Sequence, residues 1–396
     1  MNRFAIVDVR AYAFSVPGSG GDYHDRERGH WLIDSVIATP MSGYAEYRAS
    51  RKSWGIAALG SILVEIETAS GAVGIATGFG GEPACYLIEQ HYRRFIVGAD
   101  CRDTARLWDQ MFRASLPYGR KGLALAAISV VDLAIWDAQG VIRGEPVYRM
   151  IGGETKSKIH LYCTGPRPDL AKEMGFWGGK VPLPYGPAEG PAGLQRNRDF
   201  IARHREAVGP DFPLMVDCYM SLTVPYAVDL ANAVRDLGVY WLEECLHPDD
   251  FDGQLLLKER VPWMKWTTGE HEYTRYGFRK LIESRSVDVL QPDMMWLGGL
   301  TEALRVAAMA AAYDIPVVPH GSGAYSYHFV MAQPHSPFCE YLITSSDATR
   351  VEAVFGTLFE SETSPENGCV RPSDEAGFGL KLRKDGVPMR RPYVGT

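Results

Sequence analysis

Apolar and polar residues alternate along FAIVDVRAYAF (4–14) and SILVEIET (61–68), and AVGIATGF follows a turn at Ala69-Ser70-Gly71. A period of two predicts strands with one buried face, and the turn joins the last two as a hairpin. Over 84–112 and 122–140 the period lengthens. Leu123, Ala126, Ala127, Val130, Val131, Ala134 and Ile135 follow i, i+3, i+4 spacing, with Gly140 near the stop, which predicts helices, the second of them buried. Strands first and helices after describe a small α+β domain over residues 1–145. Two polar stretches, GGDYHDRERGHW (20–31) and RASRKSWG (48–55), interrupt it as long loops, and ordered loops of that kind usually carry function.

Beyond the break at PVYRMIGG (146–153) a third pattern begins with IHLYC (159–163). Short apolar runs recur, each closed by an acidic residue or a histidine: PLMVD at Asp217, VYWLE at Glu243, WTTGE at Glu270, VDVLQPD at Asp293, IPVVPH at His320 and FCEYL around Glu340. The steps between them are 26, 27, 23, 27 and 20 residues. One buried parallel strand with its crossover helix takes roughly 25 to 30 residues, so six consecutive strand–helix units are predicted. Helices are expected at 194–208, 226–237, 276–284 and 301–313, whereas 164–190 reads as loop at both ends. The fold class is therefore α/β: a (β/α) barrel, a modified TIM barrel, over 146–350, with the N-terminal α+β domain as its cap. The turn-rich segment 351–396 is expected to leave the barrel and complete the cap.

In such barrels the polar groups at the carboxyl ends of the strands converge on one face, and that face holds the active site. Buried singly they would cost several kcal/mol each, so a repeated strand-end position argues for a shared polar site. Asp217, Glu243 and Glu270 offer three hard oxygen ligands, a set suited to Mg²⁺ rather than zinc. The competing reading is three unrelated carboxylates that cap helices or pair with arginine. Glu243 and Glu244 are not separable on composition, though alternation places Glu243 on the face of Trp241. His271, next to Glu270, is a substrate contact, a donor behind the metal ligands, or an ordinary core histidine. His320, with Asp293 on the neighbouring strand to fix its tautomer and raise its pKa, makes a general base.

Composition narrows the partners. The 396 residues are 46% hydrophobic, enough for a large core, and the formal net charge of -7 without a basic cluster argues against nucleic acid. The N-terminal alternation is unlike a signal peptide, and no run of 18 uninterrupted apolar residues suggests a membrane span. Seven scattered cysteines without a CxxC pair form neither a disulfide framework nor a zinc site, as expected of a reducing, cytoplasmic setting.

GGDYHD (20–25), SRKSWG (50–55), RPDLAKEMGFWGGK (167–180), WLEECLHP (241–248), TGEH (268–271), QPDMMWLGG (291–299), VVPHGSGAYSYH (317–328) and PFCEYL (337–342) together resemble the enolase superfamily, mandelate racemase-like branch. That resemblance implies Mg²⁺ on Asp217, Glu243 and Glu270, His320 as acid/base with Asp293 as its partner, and Glu340 stabilising the transition state. His24 and Arg51 would bind substrate, with His271 and Lys180 beside them. The superfamily's general device, a Lys or His base with Mg²⁺ stabilising an ene-diolate, agrees with the ladder. Where racemases of the branch carry Lys-x-Lys, this chain has Lys180-Val181-Pro182, which favours one-base elimination. The implied activity is dehydration of an aldonic acid to a 2-keto-3-deoxy product by a homo-oligomer, an octamer being one form. The alternatives are which aldonate is dehydrated, L-lyxonate, L-mannonate and L-fuconate being candidates, epimerisation of a sugar acid, and non-catalytic metal-dependent binding.

Overall fold

β1 (Ile6–Phe14), α1 (Trp31–Asp34), β2 (Ser61–Thr68) and β3 (Val73–Phe79) open the chain in the computed structural model, which describes residues 2–14, 29–49, 59–383 and 386–395. The three strands form an antiparallel sheet in sequence order. The predicted helical stretch 84–112 is broken into α2 (Gly81–Tyr86), a π-turn over Leu87–Tyr92, α3 (Arg93–Ile96) and α4 (Thr104–Ser115). It breaks because residues 98–101 hydrogen-bond the start of β1: Ile6 donates to the Ala99 carbonyl and Gly98 to the Ile6 carbonyl, both at 2.8 Å. Edge pairing satisfies those backbone groups as well as another helical turn would.

α5 (Leu123–Arg143) packs across this sheet. A Cβ on Gly74 would lie 2.2 Å from the Ala138 nitrogen, so only glycine lets the helix backbone approach β3 this closely. By length and composition α5 could cross a membrane, yet 83% of its most apolar window is buried inside the protein. Its polar residues join the two halves of the molecule. Asp132 accepts from Thr301 N at 2.8 Å, Ser129 Oγ accepts from Gly298 N at 2.9 Å, and both donors sit at the start of a barrel helix. Asp137 accepts from Ile75 N and Phe378 N, each at 2.8 Å, tying β3 to the C-terminal segment.

After α6 (Val147–Met150) the barrel runs β4 (Ile159–Thr164), α7 (Pro168–Glu173), β5 (Gly178–Pro182), α8 (Gly190–Val208), β6 (Leu214–Asp217), α9 (Val224–Ala233), β7 (Val239–Glu243), α10 (Phe251–Arg260), β8 (Trp266–Thr268), α11 (Thr274–Ser284), β9 (Val289–Leu290), α12 (Gly299–Ala311), α13 (Ala324–Ala332) and β10 (Cys339–Leu342). All neighbours are parallel, in the order β10-β4-β5-β6-β7-β8-β9, so the curled sheet returns to its first strand. The stretch that reads as loop at both ends, 164–190, contains both α7 and β5. Its glycines and prolines mask the strand, and Gly179 is required because a Cβ there would meet Pro168 Cβ at 2.8 Å. Conversely, the predicted strand IPVVPH keeps a single bridge, Leu290 to Val317. Pro316 and Pro319 have no N–H to extend a ladder, though Val318 N still bonds the Leu290 carbonyl at 2.8 Å.

Beyond β10, β11 (Cys369–Val370) pairs antiparallel with β4, and the chain then crosses the N-terminal elements. Arg390 bridges Ala13 on β1, and Arg391 binds the buried Glu89 at 2.6 Å. Among the described residues the lower barrel is plugged by Tyr162, Met215, Trp241, Val289, Val318 and Phe338. That apolar plug leaves only the carboxyl ends of the strands for polar groups.

Candidate active site

Glu243 lies on the interior face of β7, two residues after Trp241, whose Nε1 donates to Glu243 Oε2 at 2.9 Å. Gln291 Nε2 donates to the same oxygen at 2.7 Å. Alternation sends Glu244 elsewhere. With φ +46, it turns away and receives His271 Nδ1 at 2.8 Å. The metal-type cluster that includes the interior face is Asp217, Glu243 and Glu270, which can each place one carboxylate oxygen within 4.8 Å of the others'. A second grouping, Glu244, Glu270 and His271, shares Glu270 with it.

Lys180 is almost wholly buried, and its Nζ lies 2.9 Å from Glu340 Oε1, 3.4 Å from Asp217 Oδ2 and in contact with Glu243 Oε1. With Glu270, which lies 3.8 Å from His320 Nε2 and 3.5 Å from His271 Nδ1, four carboxylates therefore share one ammonium and two imidazoles. Burial, together with repulsion from Asp217, Glu340 and Glu270, holds the Glu243 carboxyl well above its ordinary range despite Lys180. Burial likewise pushes Glu270 up to about 7, against His320. Glu270 Oε2, buried, has no hydrogen-bond partner among the described residues. A buried carboxylate oxygen without a hydrogen bond beside two more carboxylates is what a divalent cation satisfies, so this donor set fits Mg²⁺.

His320 Nδ1 is 2.6 Å from Asp293 Oδ2, which leaves Nε2 facing the cavity, 3.8 Å from Glu270 Oε2. Burial works to lower the imidazole pKa, but Glu270, Glu340 and the Asp293 hydrogen bond overcome it and raise the value well above that of an ordinary histidine. For His271 burial also works downward, and Glu244 raises it to about 9. Trp296 lies between the two imidazoles, with ring centroids 5.1 Å from His271 and 5.4 Å from His320. Glu340 sits second in β10 rather than at its end and accepts from Gly321 N at 3.0 Å, from Thr164 Oγ1 and from Lys180.

The structure thus brings Asp217, Glu243, Glu270, Asp293, His320, Glu340, Lys180 and His271 around one cavity of about 210 Å³ or its immediate wall. His24 and Arg51 lie outside the described residues. Thr164, Gln291 and Trp296 are additions that sequence reasoning passed over. Thr164 and Gln291 carried a signal, since each is a polar residue at the end of an apolar run; Trp296 carried none. Pro182, where alternation would put a second inward lysine, lines the cavity instead.

A barrel with a three-carboxylate cluster able to hold a cation and a His–Asp pair at its carboxyl face, closed by an α+β cap, defines a metal-assisted acid–base enzyme. The chain belongs to the enolase superfamily. Residues 170–386 match the model of the enolase C-terminal domain-like family, and 48–152 that of the mandelate racemase / muconate lactonizing enzyme N-terminal domain. It is 50% identical over 389 residues to an L-rhamnonate dehydratase of Saccharopolyspora erythraea, covering 98% of this chain and 99% of that one. A putative L-rhamnonate dehydratase of Caldivirga maquilingensis is 47% identical over 391 residues, or 99% and 97% of the two chains. The crystal structure of rhamnonate dehydratase from Gibberella zeae complexed with Mg superposes with a TM-score of 0.95 at 58% identity, over 97% of this chain and 95% of that one.

Proposed function

We propose that the protein is a Mg²⁺-dependent hydro-lyase that converts L-rhamnonate to 2-keto-3-deoxy-L-rhamnonate and water. The observation that carries this reading is the His320–Asp293 pair facing a three-carboxylate cluster across one cavity, in a chain half identical to L-rhamnonate dehydratases. Asp217, Glu243 and Glu270 would hold Mg²⁺, which when bound supplies a fixed positive charge for the substrate carboxylate and for the charge developing on it.

His320 does the proton work. Its Nδ1 is committed to Asp293, so Nε2 takes the proton α to the carboxylate and, now protonated, delivers it to the departing β-hydroxyl. One group suffices for both steps, and Pro182 in place of a second lysine leaves the opposite face without a base of that kind. Glu340 already receives three donors, so on that side of the cavity the Lys180 ammonium is the positive charge and Glu340 its anchor. His271, held by Glu244, borders the same space. For His24 and Arg51 the substrate-binding role rests on the resemblance alone. The same reading makes the protein a cytoplasmic homo-oligomer, with seven free cysteines consistent with a reducing compartment.

The test is a panel of aldonic acids with Mg²⁺, assayed for 2-keto product. L-rhamnonate should be the best substrate. Superior turnover of L-fuconate would move the assignment to a related dehydratase, and exchange of the α-proton without water loss would make it an epimerase.

A further inference from the structure

Glu270 and His271 are the two central residues of a tight turn. Glu272 N closes it by donating to the Gly269 carbonyl at 3.1 Å, so whatever holds Glu272 also fixes the direction of both side chains. The Glu272 carboxylate is almost wholly buried and accepts from Tyr273 N at 2.6 Å. Room for it is built into α11, where a Cβ on Gly277 would lie 2.1 Å from Glu272 Oε1. Glycine inside a helix weakens it relative to alanine, so the seat for this carboxylate is kept at the helix's expense.

The cation that meets Glu272 comes from the cap. Lys121 lies in the connection between α4 and α5, and its Nζ is 2.9 Å from Glu272 Oε1 and 3.1 Å from Oε2. The same ammonium is 2.5 Å from Asp249 Oδ1, in the connection between β7 and α10. Those two barrel connections carry Glu244 on one side and Glu270 with His271 on the other. Within the barrel they are joined by His271 and Glu244 at 2.8 Å, and from the cap by Lys121. Without Lys121, Glu272 would be a buried carboxylate deprived of its cation, which moves or takes up a proton rather than stay as it is. Either response disturbs the turn, and Mg²⁺, which demands near-ideal octahedral geometry, is sensitive to a small displacement of Glu270.

We propose that Lys121 is a positioning residue: bridging Asp249 and Glu272 from the cap, it fixes the turn that presents Glu270 and His271, and so makes Mg²⁺ affinity depend on the docked cap. The proposal rests on the reading of Glu270 as a metal ligand and deepens it. Lys121 does not line the cavity, and it acts through Glu272 and Asp249.

The experiment is calorimetric titration of Mg²⁺ into the metal-free full chain at fixed ionic strength, with thermal unfolding of each variant alongside. A long-range charge effect and a positioning effect have opposite signs. Removing a cation near an acidic cluster would by itself tighten Mg²⁺ binding through Coulomb attraction. If Lys121 positions the turn, Lys121→Met instead raises Kd about tenfold, the scale on which loss of groups supporting metal ligands is felt. Glu272→Gln should weaken Mg²⁺ to a similar degree, and the double variant no more than the weaker of the two, because each single change breaks the same bridge. Lys121→Arg, which keeps the charge and can fork to both carboxylates, should stay within about twofold of the wild type. A Kd that is unchanged or tighter in Lys121→Met, whatever happens to its melting temperature, overturns the positioning role while leaving Glu270 a ligand. Additive losses in the double variant, or an Arg variant as weak as the Met one, do the same. A wild type that takes up no Mg²⁺ overturns the metal reading and the proposal with it.

Discussion

Replacing Asp293 by Asn removes one buried negative charge beside the imidazole and changes little else. Asp293 is fully buried, its Oδ2 lies 2.6 Å from His320 Nδ1, and its Oδ1 accepts from Met295 N at 2.6 Å, a bond that an Asn oxygen preserves. With charge centres ~4 Å apart at an effective dielectric near 20, the Coulomb attraction is about 4 kcal/mol, which sets a ceiling of roughly three pKa units. Opposite charges at this range usually shift a pKa by about 1 to 3 units. The sign follows from the mechanism. Burial opposes the charged imidazole, while Glu270, Glu340 and Asp293 raise its pKa, and the base works only when neutral. Loss of Asp293 therefore lowers that pKa, and the acid limb of kcat/KM against pH, measured at saturating Mg²⁺, should move down by about 1 to 3 units. The plateau should fall by ~10²–10⁴-fold, because the base is weaker and its tautomer is no longer fixed. An acid limb that stays put, or moves to higher pH, would refute the electrostatic role of Asp293.

Glu270→Gln should weaken Mg²⁺ binding by about tenfold or more in calorimetric titration, since it removes one of three anionic ligands. In EDTA the same variant should be more stable than the wild type at pH 8. Its carboxyl is raised from 4.5 to about 7, so the wild type loses up to about 3 kcal/mol as pH rises through that window and the amide does not. A melting difference that is the same at pH 4.5 and pH 8 would argue against that repulsion. Asp137→Asn should cost about 1 to 3 kcal/mol in thermal unfolding, because one of the two N–H groups it receives, Ile75 or Phe378, is left facing an amide NH₂. Wild-type stability in that variant would show that Asp137 does not pin the C-terminal segment.

The order of elements was legible because each carries a local signal. A period of two marks β1 to β3, a helical period marks α5, and the regular steps from Asp217 to Glu340 mark repeated strand–helix units whose polar ends must meet on one face. The sequence failed where local chemistry works against the element it forms. β5 is written in glycine and proline because its neighbours press close, and the strand expected before His320 is cut to one bridge by two prolines.

What the chain alone determined, then, is its repeating architecture and the identity of the acids and the histidine at the strand ends, since both follow from spacing and from the cost of burying charge. Only the tertiary structure decided how those groups share charge: that Lys180 lies among Asp217, Glu243 and Glu340, and that Glu270 Oε2 faces His320 Nε2 at 3.8 Å. These are contacts between residues far apart in sequence. Their energies depend on distances and on water excluded by packing, and neither quantity is written in the order of the residues.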